Sequence, residues 1–265
     1  EKMQDAVKRI MAEEPLAYVL GEWDFYGMTL HVNENVLIPR DDTCAVTELA
    51  IKKALFLDAS PRILDLCTGS GCIGLAIAHR VKDARITLAD ISKEAMSVAK
   101  KNITAQKLSG RVSCVCADAL SEPAAFLGKF DMIVSNPPFS VPWEGDKNPL
   151  LINDPRFSPA GVLAPAFKGD MAFIMHMISW FAPNGTAAIV CFPGIMYRGG
   201  AEQKIRKYLV DNNFVDAIIQ LPSNLFFGTG IATCIMVMKK NKVDNNILFI
   251  DAGKECIKDG NSNRL

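Results

Sequence analysis

The sequence has no excess charge of either sign: 29 Lys and Arg stand against 29 Asp and Glu. Strong unaided binding to nucleic-acid phosphates draws on clustered cations, so it is not expected here. There is no hydrophobic run long enough to cross a bilayer and no secretory leader pattern. The eight cysteines (Cys44, Cys67, Cys72, Cys114, Cys116, Cys191, Cys234 and Cys256) include no C-x2-C pair of the kind that holds zinc. Most lie in apolar, strand-like runs, where cysteine behaves as a small hydrophobe. The expectation is a cytoplasmic protein with free thiols, without membrane or metal. Internal repeats and low-complexity tracts are also lacking.

What is present is material for a core. With 49% hydrophobic and 22% charged residues over 265 positions, the chain suits one large α/β domain or a domain with a small appendage. Residues 1–14 carry Met3, Ala6, Val7, Ile10 and Met11 at helical spacing, and Pro15 ends that helix. Residues 21–39 alternate around Gly27, which predicts a β-hairpin. A helix over residues 44–57 follows, with Thr43 as its N-cap. From Pro61 the pattern becomes regular, with strands at 62–66, 85–89, 111–117 and 130–134. Helices at 71–80, 93–106 and 123–127 separate them. A long irregular segment, 140–169, leads to a helix at 170–181, a strand at 185–192, a helix at 201–212 and strands at 214–221 and 231–239. This alternation predicts a mostly parallel seven-stranded sheet with an antiparallel last strand. Residues 247–251 are a candidate further strand, and residues 253–265 read as a frayed end.

The candidate chemistry sits at successive strand ends. The first βα turn runs Asp65-Leu66-Cys67-Thr68-Gly69-Ser70-Gly71-Cys72-Ile73-Gly74. Its glycines let the backbone turn tightly and approach a ligand, and the following helix points its N–H groups at it. Gly69, Gly71 and Gly74 satisfy G-x-G-x-x-G, and Asp90 ends the next strand where a ribose-binding acid belongs. An NAD-dependent oxidoreductase is therefore open. Three features tilt the reading toward S-adenosyl-L-methionine: Asp65 to meet a cationic amino-acid head group, Asp118 to meet an adenine amino group, and Asn136-Pro137-Pro138-Phe139 after the fourth strand. The two prolines stop that strand and hold Asn136 and Pro137 stiffly. Their oxygens then suit a planar NH2 group.

Residues 61–139 resemble a Rossmann-type methyltransferase with the Asn-Pro-Pro-aromatic motif of amino-group methyltransferases. Residues 15–138 resemble the release-factor glutamine methyltransferases in the hairpin Trp23-Asp24-Phe25-Tyr26-Gly27, in Ile38-Pro39-Arg40-x-Asp42-Thr43 and in the 65–74 loop; Asp41 stands where that family usually has Pro. Residues 136–265 resemble the modification subunit of type I restriction systems, which methylates adenine in DNA. The resemblance lies in Asn136 to Ser140, Asp154-Pro155-Arg156-Phe157, residues 170–176, 192–202 and 221–229. The two resemblances meet near residues 136–140, which implies a chimera with an appendage over 1–43 and a methyltransferase domain over 44–265.

What the resemblance implies is a Rossmann-like methyltransferase fold with an added N-terminal helix and hairpin. The cofactor would be S-adenosyl-L-methionine, leaving S-adenosyl-L-homocysteine, held by Pro39, Arg40, Thr43, Asp65, Cys67, Thr68, Gly69, Gly71, Cys72, Asp90, Ile91, Asp118, Ala119 and Asn136. The catalytic set would be Asn136, Pro137, Pro138 and Phe139, with Phe139 stacking on the planar acceptor. The nominal acceptor is the glutamine amide of a peptide chain release factor. The alternatives are adenine in DNA, read with a specificity subunit, or a chimeric scaffold that binds cofactor without turnover. His176 reads as structural, Lys239, Lys240 and Lys242 as a solvated strand end, and Arg198-Gly199-Gly200 as a turn into a helix. Phe226-Phe227-Gly228 reads equally as pocket cover or core.

Overall fold

The computed structural model describes residues 2–57, 59–121, 127–225, 230–259 and 262–264. The N-terminal segment forms α1 (Lys2–Met11) and then a short α2 (Leu16–Leu20). Pro15, expected only to end a helix, also opens the second one as its N-cap residue, with φ −55° and ψ 134°. The predicted hairpin is present as β1 (Glu22–Phe25) and β2 (Met28–His31), paired antiparallel. Tyr26 and Gly27 connect them with φ of 51° and 78°. Two central residues with positive φ make the tight turn whose twist matches paired strands.

The hairpin is not loose. Phe25, Met28 and Leu30 bury in one cluster with Ile73, Leu75 and Ile77. Asn102, fully buried, accepts from the His31 amide at 2.7 Å and donates to the carbonyls of His31 and Ser70 at 3.0 and 2.9 Å. Helix α3 (Asp41–Ala54) begins earlier than expected. Its N-cap residue is Arg40, in extended geometry, rather than Thr43, which lies inside the first turn; no side-chain cap bond is made.

The remaining elements are β3 (Arg62–Leu66), α4 (Cys72–Arg80), β4 (Arg85–Asp90), α5 (Lys93–Ala105), β5 (Val112–Cys116), β6 (Phe130–Ser135), α6 (Asp170–Ser179), β7 (Phe181–Cys191), α7 (Gly194–Tyr197), α8 (Ala201–Asp211), β8 (Val215–Gln220), β9 (Cys234–Lys239) and β10 (Leu248–Asp251). They build an eight-stranded sheet in the order β10-β8-β9-β7-β6-β3-β4-β5. Only β9 runs antiparallel to its neighbours. The α/β class is as expected, and the eighth strand is β10, parallel to β8. Residues 253–265, read as frayed, instead contain a short hairpin of Ile257–Asp259 with Ser262–Arg264. The expected helix at 123–127 falls mostly outside the described residues.

Alternation along the strands assigns the two faces. On β3, Leu64 and Leu66 join the cluster that holds Phe173 and Met175 of α6, while Ile63 joins the opposite one with Leu75 of α4. Asp65 shares the face of Ile63. The chain goes from β3 outward through β4 to β5, then returns to lay β6 on the other side of β3. That reversal opens a crevice at the carboxyl ends of β3 and β6, where open α/β sheets bind ligands.

Candidate active site

The loop after β3 is shaped by hydrogen bonds that run behind it. Asp65 Oδ2 accepts from Thr68 Oγ1 at 2.6 Å and from the Gly74 amide at 2.8 Å, joining the strand end to the first turn of α4. Gly74 admits nothing larger: a Cβ there would lie 2.3 Å from Leu88 Cδ2 and 3.1 Å from Asp65 Oδ2. Gly71 has φ +86°, and a Cβ would meet Leu88 Cδ1 at 2.9 Å. Cys67 takes a left-handed φ of 60°, which a side-chain-bearing residue adopts only at a cost. Neighbouring strand ends tie the loop in place. The Thr68 amide donates to the Ala89 carbonyl, the Gly69 amide to Asp90 Oδ2 at 2.9 Å, and Ser135 Oγ to the Leu66 carbonyl at 2.9 Å.

Above these strand ends lies a cavity of about 1060 Å³. It is lined by the expected Pro39, Arg40, Thr43, Cys67, Thr68, Gly69, Cys72, Asp90, Ile91, Asp118 and Ala119, and also by Asn136, Pro137, Pro138 and Phe139. The structure brings together all but two of the residues expected to hold the cofactor or act in catalysis. Asp65 and Gly71 do not line it. Asp65 is 1% exposed, and burial pushes its carboxyl up to about 7. Its Oδ1 is buried without a hydrogen-bond partner. It shapes the loop from behind rather than presenting a carboxylate at the cavity wall.

Sequence reasoning missed the opposite wall. Residues of the 140–169 segment fold back over the crevice, and Trp143, Glu144, Asn148, Leu151, Asp154 and Arg156 line the same cavity. Trp143 and Leu151 are buried, and the Trp143 amide donates to the Ala166 carbonyl, so the segment is a packed strap. A buried indole inside a Pro-rich segment was the available signal. Its root is braced as well: Ser140, with φ 53°, donates its amide to Asp170 Oδ1 at 3.1 Å. Phe139 is partly buried against the cluster of Val46, Val190, Leu221 and Leu225.

The electrostatics favour positioning chemistry. Burial pushes the thiols of Cys67 and Cys72 up to about 12, so neither is a thiolate nucleophile near neutrality. All eight cysteines are free. His176 lies outside the cavity, fully buried in α6. Arg198 is engaged by Glu202 at 3.3 Å and Asp170 at 4.0 Å, in a turn rather than a phosphate site. Lys242 donates to the Val215 carbonyl. Residues 226–229 lie outside the described residues. No helix among the described residues is long and apolar enough to cross a membrane.

With that geometry established, the sequence model of the family described as N-6 DNA methylase matches residues 44–265. The chain belongs to the N-6 DNA methylase family. Its family chemistry is S-adenosylmethionine-dependent N-methyl transfer, which decides the choice left open by the glycine loop against NAD. The type I restriction enzyme MpnII methylase subunit of Mycoplasma pneumoniae is 39% identical over 242 residues, covering 86% of this chain and 44% of that one. The release factor glutamine methyltransferase of Chlorobaculum tepidum is 44% identical over 233 residues, covering 84% of this chain and 76% of that one. Among solved structures, the type I restriction-modification methyltransferase subunit of Streptococcus thermophilus superposes with a TM-score of 0.78 at 30% identity, over 87% of this chain and 50% of that one. The chain thus spans about half the length of the type I relatives it matches. The family match runs unbroken through residues 136–140, where the two resemblances were expected to meet.

The residues fit the methyl donor. The cavity offers a glycine loop open to close approach, acids at the ends of two neighbouring strands, and apolar walls from Ile91 and Leu120. Its volume is at the upper end of the range for small-molecule pockets.

Proposed function

We propose that this chain methylates the exocyclic amino nitrogen of adenine in DNA, using S-adenosyl-L-methionine held by the loops after β3, β4 and β5. One observation carries the reading. The Asn136-to-Phe139 strand end and the 143–156 strap share a single cavity with the donor loop. When bound, the donor supplies an electrophilic methyl group on its sulfonium. The amide oxygen of Asn136 and the Pro137 carbonyl accept hydrogen bonds from the NH2 group, orienting its nitrogen and raising its electron density. Phe139 stacks on the base, and Trp143 with Leu151 keeps water from the reacting atoms. Positioning of this kind supplies most of the rate in a direct displacement.

A base must leave the duplex stack to reach such a pocket. The strap gives the acceptor space a broad, partly aromatic wall that suits a planar heterocycle. Zero net charge argues that DNA is held with help from a partner such as a specificity subunit.

A second reading has its own support. The glutamine side-chain amide presents the same planar NH2 group and is the nominal acceptor that the resemblance of residues 15–138 implies. The hairpin and the 44% identity to the Chlorobaculum tepidum glutamine methyltransferase favour that acceptor. The test is labelled methyl transfer offered side by side to an adenine-containing single-stranded oligonucleotide and a glutamine-containing release-factor peptide. Label in N6-methyladenine supports the proposal. Label on glutamine selects the second reading, and donor binding with neither product, at oligonucleotide concentrations high enough to replace a partner's grip, means a silent scaffold.

A further inference from the structure

We propose that His176 is a positioning residue, which fixes the donor-side turn at residues 117–121 to the acceptor-side strap and so couples the two halves of the cavity. The proposal rests on the donor reading of the Asp118 turn and goes beyond it. That turn follows β5, the outermost strand on its side of the sheet, which among the described residues pairs with β4 alone. Beyond the strand end, the one ladder bond to it among the described residues is that of the Ala117 amide, which donates to the Asp90 carbonyl at 2.9 Å. Inside the turn, Asp118 Oδ1 accepts from the Leu120 amide at 2.8 Å. The turn needs an external brace to hold Asp118 at the cavity.

The opposite wall supplies two. His176 Nδ1 donates to the Ala119 carbonyl, which fixes the Nδ1–H tautomer, since a carbonyl oxygen only accepts. Arg156 Nη1 donates to the Ser121 carbonyl. Both side chains are themselves held by the strap. The His176 ring lies 4.1 Å from Trp180 and edge-on to Phe157 at 5.4 Å; Phe157 in turn contacts Trp143 at 5.1 Å. Arg156 is gripped by Asp154 through Nε at 2.9 Å and Nη2 at 2.6 Å, and its guanidinium lies 4.9 Å over Phe157. A continuous stack therefore runs from Trp143, which lines the cavity, to the carbonyl beside Asp118. His176 touches neither ligand space; it acts through the Ala119 carbonyl.

A histidine that only fills the core would be replaced well by phenylalanine and badly by asparagine. A positioning residue predicts the reverse for donor affinity, because Asn keeps an N–H near the Nδ1 position and Phe does not. Calorimetric titration of S-adenosyl-L-methionine into His176→Phe and His176→Asn, with thermal melts of both, separates the two roles. Phe leaves the Ala119 carbonyl unpaired but also removes the buried, unpartnered Nε2, so the expected result is a variant that melts near wild type and binds the donor about tenfold more weakly, the size of one lost hydrogen bond. The Asn variant melts lower yet binds within about threefold of wild type. Donor affinity that follows melting temperature, or is unchanged in both, overturns the proposal. If wild type itself fails to bind, the donor reading is what fails. Hydrogen exchange then tests the brace alone: His176→Phe and Arg156→Met should each speed exchange of amides 118–121 and leave 68–74 unchanged, and equal exchange overturns it.

Discussion

Asp65 Oδ2 accepts the Gly74 amide at 2.8 Å while its other oxygen is buried with no partner. One carboxyl thus joins the end of β3 to the start of α4, in a place where its ionised form is disfavoured. Burial is the dominant cause, and the bonds from Thr68 and Gly74 only partly offset it. The folded carboxyl titrates at about 7, above its ordinary 3.8. The folded state therefore holds a proton that the unfolded state has lost between those values. This stabilising contribution is full below pH 4 and disappears as pH rises to 7, a loss of about 4 kcal/mol. Asp65→Asn should remove the slope, read as denaturant midpoints of the two proteins across that range.

His176 gives the opposite slope. Burial holds its imidazole down at about 4, against an ordinary 6.5. Its contribution is full above pH 6.5 and falls as pH drops toward 4, by about 3 kcal/mol. The two groups offset each other in the wild-type protein. His176→Phe should make the protein more stable at pH 4.5 than at pH 7, while Asp65→Asn should tilt it the other way. Parallel slopes in the two variants would contradict the assignment.

Asn102 joins the hairpin, α5 and the glycine loop through three hydrogen bonds. Asn102→Ala leaves the buried Ser70 carbonyl and the part-buried His31 amide and carbonyl unpaired and is expected to cost about 1–3 kcal/mol. Hydrogen exchange should rise at residues 29–32 and at Ser70 together. A rise confined to the hairpin would show that the loop is held without it.

Gly74→Ala tests how tightly α4 sits on the sheet. The added methyl meets Leu88, Asp65 and Ile86 at once. Overpacking of that kind costs about 1–3 kcal/mol, and weaker donor binding should accompany the lower melting temperature. An unchanged melting temperature would mean that α4 lifts freely from β4.

Much of this site was legible in the sequence for a physical reason. Glycines with positive φ, acids at strand ends and a proline-stopped strand are local features, and local features write themselves into short motifs. Gly69, Asp90, Asp118 and Asn136 were found that way, and they line one cavity. Asp65 was misplaced, although alternation carried the answer: it shares parity with Ile63, which faces α4, and so it turns into the fold. The Arg40 start of α3 depends on an extended residue making no side-chain cap, which residue type alone does not reveal. The strap was opaque because it is held by distant partners, Trp143 by the carbonyls of Ala166 and Pro165 and Arg156 by that of Ser121. No local period encodes such contacts.

On the proposed reading Asn136 orients the acceptor and does not hold the donor. This is tested most directly by comparing wild type with Asn136→Ala in two readouts: donor affinity by calorimetry and labelled methyl transfer at saturating donor. The expected result is a donor Kd within about twofold and transfer reduced by at least about a hundredfold, the scale of losing a preorganised transition-state contact. Transfer that survives, or a donor affinity that collapses together with it, would contradict the account.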